Sequence, residues 1–466
     1  MIKLDKERLY SDLNDTYLQK HKKSKEFFKH TNQFQVYGGS HNLRLNDPFP
    51  LYDVRCLGPL VTTVDGHSHI DFWQGHFANI LGHNPPIIRE ALQEFLQNGE
   101  GLVTGFPGQY QSRLAELITR QTGTEGIRFT TSGTLAAMYS IMLAKSYTQR
   151  ELVLKIGGGW HGAQPYTLNG MPNLSKELEF MESAGLSNHS DSSFILTRFN
   201  DSEDLEDKFR LYGDRLACFI IEPFMGAGGF LFAQKEYLHK ARELTHQYGV
   251  QLIFDEVLSG FRFHAGSLQT LYGINSDLTL FGKIIGGGMP VSAVAGRREI
   301  LELCNPKISY PSKVKFNGGT FSAHPASMFA GAVYLQYLIE NAESLYPRIG
   351  RLGNKARNEI ENIFRHHGFP VTCTGLDSDV ISESSMVGVH FLQENLDRII
   401  SPEQVWSINK CDPEMREKIF KLAMINEGVN ICHGFGGVSS AHSDKHIQVS
   451  LDAVEHTART FLKYKI

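Results

Sequence analysis

Cysteine, tryptophan and long apolar runs are all scarce in this 466-residue chain, and each shortage excludes something. The six cysteines (Cys56, Cys218, Cys304, Cys373, Cys411, Cys432) are scattered, with no CxxC pair, so neither a disulfide framework nor a cysteine zinc site is expected. No run approaches the ~18 apolar residues of a membrane span. The first thirty residues lack the apolar core of a signal peptide. The expectation is a cytoplasmic protein with free thiols and no membrane partner. A surplus of positive charge is missing too: 46 Lys plus Arg against 50 Asp plus Glu gives a formal charge of −4. No basic stripe occurs beyond "KHKKSKEFFKH" (Lys20 to His30), which reads as the polar face of an N-terminal helix, so no nucleic-acid partner is expected.

What is present is alternation. The segment "PLVTTVDGHSHIDFW" (Pro59 to Trp73) reads as two strands around Asp65-Gly66, a dipeptide that tolerates positive φ in a tight hairpin. His67 and His69 fall there with no further ligands at metal spacing, so they are expected as strand residues and no metal site is expected. From about residue 85, apolar runs such as "GIRFTT", "ELVLKIGGG", "LACFIIEPF", "VQLIFDEV" and "DLTLFGK" alternate with segments of helical spacing such as "KEYLHKARELTHQYG". This pattern predicts an α/β fold with a mostly parallel sheet covered on both faces, and ligands at the carboxyl ends of its strands. Residues 76–325 are expected to form the large domain. Residues 1–75 and 326–466 are expected to combine into a smaller α+β domain.

Taken singly, each candidate at those strand ends has a plain alternative. Ser132-Gly133-Thr134 follows "IRFT" and opens a helix, where N–H groups and hydroxyls make an anion seat or simply an N-cap. Trp160-His161-Gly162 follows "LVLKI" and three glycines; the indole suits stacking on a flat ring, or packing in a core. Asp255 ends "QLIF", placed either to fix a buried cationic nitrogen or to cap the next helix, and Glu222 ends "CFII" in similar fashion. Lys283 is a lone amine between apolar runs in "LTLFGKIIGGGMPVSAVAGR". Burial would lower its pKa and suit it to Schiff-base chemistry; the alternative is a lysine reaching out to solvent.

Together the parts fit one ligand, pyridoxal 5′-phosphate. The phosphate needs N–H and hydroxyl donors, the ring a stacking face, the ring nitrogen a carboxylate and the aldehyde a lysine. The other phosphate motifs fail: "GKIIGGG" is not GxxxxGK[ST], and no GxGxxG follows a first strand.

The blocks "SGT" at 132–134, "WHG" at 160–162, "FDEVLSGFR" at 254–262, "DLTLFGKIIGGGMPVSAVAGRRE" at 277–299 and "GGTFSAHP" at 318–325 resemble class III pyridoxal-phosphate aminotransferases. Within that class they are most similar to the glutamate-1-semialdehyde 2,1-aminomutase subgroup. "VDGHSHIDFWQGHFANILGHNPPIIREAL" and "SSAHSDKHI" agree with it, and the similarity runs in order over roughly residues 38–460. The resemblance implies fold type I, a homodimer with active sites at the subunit interface, and a cofactor Schiff base at Lys283. It implies Asp255 at the pyridine nitrogen, and Gly133 and Thr134 beside Ser132 at the phosphate. It further implies Thr320 of the partner subunit at that phosphate, Trp160 against the ring where the family commonly has tyrosine, and His161 beside it. Arg44, in "GGSHNLRLNDPFPLYDV", matches with a one-residue gap an arginine that holds the substrate carboxylate; the alternative is an ordinary surface arginine.

Three positions depart from the family pattern. Leu135 follows "SGT" where glutamate is usual, Trp160 replaces tyrosine, and Gly434 stands where the aminomutases place a glutamate. The expected function is therefore an aminotransferase acting on amino and oxo substrates. Intramolecular amino transfer, as in the aminomutase, is the alternative. A class III racemase or lyase, or a non-catalytic relative, is also compatible with these residues.

Overall fold

A computed structural model describes residues 3–168, 170, 183–186 and 193–466. At its centre is a seven-stranded sheet: β1 (Gly126–Thr130), β2 (Leu152–Ile156), β3 (Phe194–Thr197), β4 (Leu216–Ile221), β5 (Gln251–Glu256), β6 (Leu278–Phe281) and β7 (Ser292–Gly296). Their spatial order is β1-β7-β6-β5-β4-β2-β3. Strands β6, β5, β4, β2 and β3 are mutually parallel, whereas β7 runs antiparallel to both β6 and β1. All six residues of β4 and of β5 are buried, which is why these strands read as nearly unbroken apolar runs.

Side chains alternate between the two faces with the strand period of two. Ile253 joins Val153, Ile220, Leu280 and Val294 under Ala137, Ile141 and Ala144 of the helix Gly133–Thr148. Leu252 and Phe254 turn the other way, onto Leu205 and Phe209 of Ser202–Tyr212 and Leu238 and Ala241 of Lys235–Tyr248. The predicted mostly parallel sheet between helices is what forms.

A four-stranded sheet joins the two ends of the chain. Asp53–Leu57, Leu60–Thr63 and Ser68–Asp71 form an antiparallel meander, and Val429–Asn430 adds in parallel beside Ser68–Asp71. The hairpin read at Asp65-Gly66 is present, with Gly66 at φ 87°. The basic N-terminal run forms the end of helix Lys6–Lys20 and the helix Lys22–Thr31, bent at His21. Its lysines face solvent, while Leu9, Leu13 and Tyr17 are buried. Tyr17 donates its hydroxyl to the Phe49 carbonyl at 2.7 Å, and Asn426 Nδ2 donates to the Leu13 carbonyl at 2.9 Å. This segment is therefore pinned to its own C-terminal region.

Candidate active site

Because the principal strands are parallel, the turns that follow β2, β4, β5 and β6 leave the same edge of the sheet. In-register pairing sets Asp255 opposite Leu280 and Glu256 opposite Phe281, so Lys283, two residues past β6, emerges beside the end of β5. Ser292 opens β7 at this edge, opposite Thr130 of β1, and donates its hydroxyl to the Phe281 carbonyl. The sheet thus gathers the ends of β1, β2, β4, β5 and β6, where ligands collect in such folds.

Asp255 and His161 form the centre. His161 Nδ1 donates to Asp255 Oδ2 at 2.8 Å, and Asp255 Oδ1 accepts from the Val257 N–H at 3.0 Å. Both side chains are buried. His161 Nε2 is also buried and makes no hydrogen bond among the described residues. A carboxylate with a single imidazole beside it retains acceptor capacity for a further N–H, which is what a protonated ring nitrogen requires.

Glycines bring the neighbouring turns close. A Cβ on Gly162 would lie 2.4 Å from Thr134 Oγ1 and 2.5 Å from Thr134 Cα, so the turn at 160–162 rests directly on the turn at 132–134. A Cβ on Gly133 or on Gly282 would lie 3.0 Å from Val257 Cγ1. Val257 therefore sits between the 132–134 turn and the lysine turn. It stands two positions after Asp255, and that spacing is the one sequence signal for its place. Ser132 is the N-cap of Gly133–Thr148, its Oγ accepting from Leu135 N at 3.3 Å. The N–H groups of Gly133 and Thr134 belong to the first turn and have no acceptor within the helix, so capping and an anion seat coexist.

Glu222 lies buried at the end of β4. It accepts from the N–H groups of Trp160 at 2.8 Å and Gly226 at 3.0 Å, fixing the 160–162 turn through its backbone. Burial raises its pKa, and nearby Asp255 adds to that rise. Trp160 itself is 42% exposed. Leu135 turns into the apolar cluster beneath the sheet. Lys283, at φ 48°, is partly exposed, yet the protein around it desolvates the amine. Desolvation lowers its pKa from 10.5, helped by Arg262 and opposed by Glu222 and Asp255.

The remaining candidates lie farther out. Arg44 is exposed and donates from Nε to His76 Nε2 at 3.2 Å. Lys283 is among the charges that bear on His76, so this pair borders the lysine. Thr320 is exposed, in the turn before helix Pro325–Glu340. Gly434, at φ 92°, packs backbone to backbone: a Cβ there would fall 2.6 Å from both N and O of Val389. Among the described residues no group of three or more histidine, cysteine, aspartate or glutamate side chains is arranged to hold a metal.

The family pattern "Aminotransferase class-III" matches residues 44–375. The chain belongs to the class III aminotransferases. This aminotransferase is 32% identical over 453 residues to a glutamate-1-semialdehyde 2,1-aminomutase of Methanobrevibacter smithii, covering 95% of this chain and 99% of that protein. It superposes on a β-phenylalanine aminotransferase from Variovorax paradoxus with a TM-score of 0.82 at 26% identity, covering 97% of this chain and 96% of the other. A solved transaminase with pyridoxal phosphate bound gives a TM-score of 0.82 at 27% identity over 95% and 99% of the two chains. The aminotransferase is a pyridoxal-phosphate enzyme of fold type I, as the sequence led one to expect. Its residues fit that group: an acid–imidazole pair with spare capacity, a helix start free to bind an anion, and a desolvated amine converge at one sheet edge.

Proposed function

We propose that this aminotransferase moves an amino group between a carboxylate-bearing amino compound and an oxo acid or aldehyde, with Lys283 as the reacting amine. The observation that carries the reading is the convergence of Lys283 and the buried Asp255–His161 pair on adjacent strand ends. When bound, pyridoxal 5′-phosphate supplies an aldehyde that captures amines and a ring that draws electrons from the adjoining carbon. Asp255 holds the ring nitrogen in its protonated form, and His161 orients that carboxylate. Ser132, Gly133 and Thr134 seat the phosphate, and Trp160 flanks the ring. Desolvation keeps a larger share of Lys283 neutral near pH 7, so that it can take a proton from the substrate carbon and return it.

Arg44 receives the substrate carboxylate in this reading, with the amine β or further from it. The likeness to a β-phenylalanine aminotransferase supports that choice. A second reading, intramolecular amino transfer, is supported by the identity to a protein named as an aminomutase. The absence of room for any side chain at Gly434 weighs against it. An amino-donor panel separates the two: a keto product from the donor supports transamination, whereas isomerisation of one amino aldehyde without a second substrate supports the mutase.

The enzyme is proposed to work as a homodimer, with Thr320 of the partner subunit completing each phosphate seat. Leu102, Val103, Phe106, Tyr310 and Phe321 are exposed on the single chain, and a second copy would cover apolar side chains of this kind. Sedimentation at micromolar concentration tests this, and a monomer with full activity would refute it. Residues 76–325 are proposed as the cofactor-bearing domain, with 1–75 and 326–466 forming the smaller one. A cytoplasmic location is in keeping with six free cysteines, and no described helix is long and apolar enough to cross a membrane.

A further inference from the structure

The four-residue turn Gln74–Phe77 winds in the left-handed sense. Its φ values are 51° at Gln74, 59° at Gly75, 62° at His76 and 65° at Phe77, and three of the four residues carry side chains. Left-handed helical backbone costs about 1–2 kcal/mol per non-glycine residue, so such a turn persists only where its surroundings over-determine it. They do so here. Asp71 accepts from the N–H of Trp73 at 3.0 Å and of Gln74 at 2.9 Å, and Phe77 N donates to the Trp73 carbonyl at 2.8 Å. The fully buried Arg262 donates to the Phe77 carbonyl.

The product of this construction is the placement of one side chain. His76 lies with its ring centroid 4.4 Å from that of His41 and 4.7 Å from that of Trp73, and its Nε2 accepts from Arg44 Nε. Accepting there requires the neutral ring. Burial, followed by the charges of His41, Arg44, Lys283 and His433, lowers its pKa to about 3. The other donors of Arg44 make no hydrogen bond among the described residues.

We infer that His76 is a positioning residue for substrate: by occupying Arg44 Nε, it directs the two Nη groups of the guanidinium toward the carboxylate of the incoming amino compound. An arginine held at Nε still offers one N–H from each Nη, the end-on form of bidentate carboxylate recognition. A free arginine on the exposed segment 41–44 would have to order its side chain on each binding event. The inference rests on the reading of Arg44 as the carboxylate group and extends it to a residue that no local pattern singles out.

The test uses holoenzyme and 3-phenylpropanoate, a carboxylate without an amine, with 3-phenylpropanol as its uncharged control, titrated by calorimetry. Wild type should bind the carboxylate more tightly than the alcohol. His76→Phe should weaken carboxylate binding about tenfold, the size of one lost charge-assisted hydrogen bond. His76→Gln, which retains an acceptor, should recover most of that loss. On an Arg44→Met background His76→Phe should add little, because both act through one guanidinium. Additive losses, equal weakening of the alcohol, or no recovery in His76→Gln would overturn the role of His76. Wild type that prefers neither ligand would overturn it as well. The donor half-reaction with 1-phenylethylamine, which has no carboxylate, is followed separately in the visible spectrum. Its failure counts against the transaminase reading rather than against His76.

Discussion

Gly162→Ala is the substitution whose consequence can be worked furthest from the geometry. The new methyl would stand 2.5 Å from Thr134 Cα and 2.4 Å from Thr134 Oγ1, where the ordinary separation of non-bonded carbon atoms is about 3.5–4.0 Å. A rotamer change relieves the clash with the hydroxyl only. The clash with the backbone carbon forces one of the two turns back by about 1 Å, and a shift of that size at a catalytic centre costs on the order of 10²-fold. The φ of 85° adds a backbone term of about 1–2 kcal/mol. Gly273→Ala separates these effects, since Gly273 has φ 66° and nothing within 4 Å of its would-be Cβ. Both variants should lose thermal stability as apoprotein, Gly162→Ala the more because it adds the backbone clash. Only Gly162→Ala should weaken binding of pyridoxal phosphate, by about tenfold or more, in a fluorescence titration. Equal cofactor affinity in the two variants would refute the claim that Gly162 holds the anion-binding turn in place.

Two further predictions concern charge. Asp255→Asn keeps an acceptor for His161 Nδ1 but removes the negative charge; kcat should fall by about 10²–10³, the size of a lost preorganised electrostatic partner, while cofactor is retained. A rate within about tenfold of wild type would contradict the assignment of Asp255. His21 and His69 both have pKa values lowered to about 4, burial being the main cause; His69 adds to the lowering at His21, where Asp65 opposes it, and His67 adds to it at His69. Folded, they stay neutral; unfolded, they take up protons from about pH 6.5 downward. The stability they confer is complete above that pH and is lost as pH falls toward about 4. At pH 5 the loss is on the order of 2 kcal/mol for each group. The urea midpoint should therefore drop between pH 7.5 and 5.0, and His21→Phe should flatten the drop. An unchanged slope would sink this account.

The strand ends were legible because a buried parallel strand must be apolar along its length, so Asp255 and Lys283 stood out as charged groups closing such runs. The hairpin at Asp65-Gly66 was legible because its dipeptide carries the turn's own conformational demand. Pairings between distant segments left no such trace. The His161–Asp255 bond spans 94 positions, and the pairing of Ser68–Asp71 with Val429–Asn430 joins opposite ends of the chain. The left-handed turn at 74–77 was hidden for a different reason. Gln74, His76 and Phe77 have no local preference for positive φ, and the turn exists because Asp71 and Arg262 hold it. Arg44 could be singled out by likeness, but nothing local announced that a histidine 32 positions away would hold its Nε.

The central claim is that Lys283 is the amine that captures the cofactor. Borohydride reduction of the holoenzyme, followed by peptide mass spectrometry, tests it directly, because reduction fixes the cofactor to whichever amine holds it. The expected result is a pyridoxyl-phosphate adduct on the peptide containing Lys283, lost together with the yellow absorbance of lysine-bound cofactor in Lys283→Ala. An adduct on another lysine, or a visible band that survives in Lys283→Ala, would contradict the account.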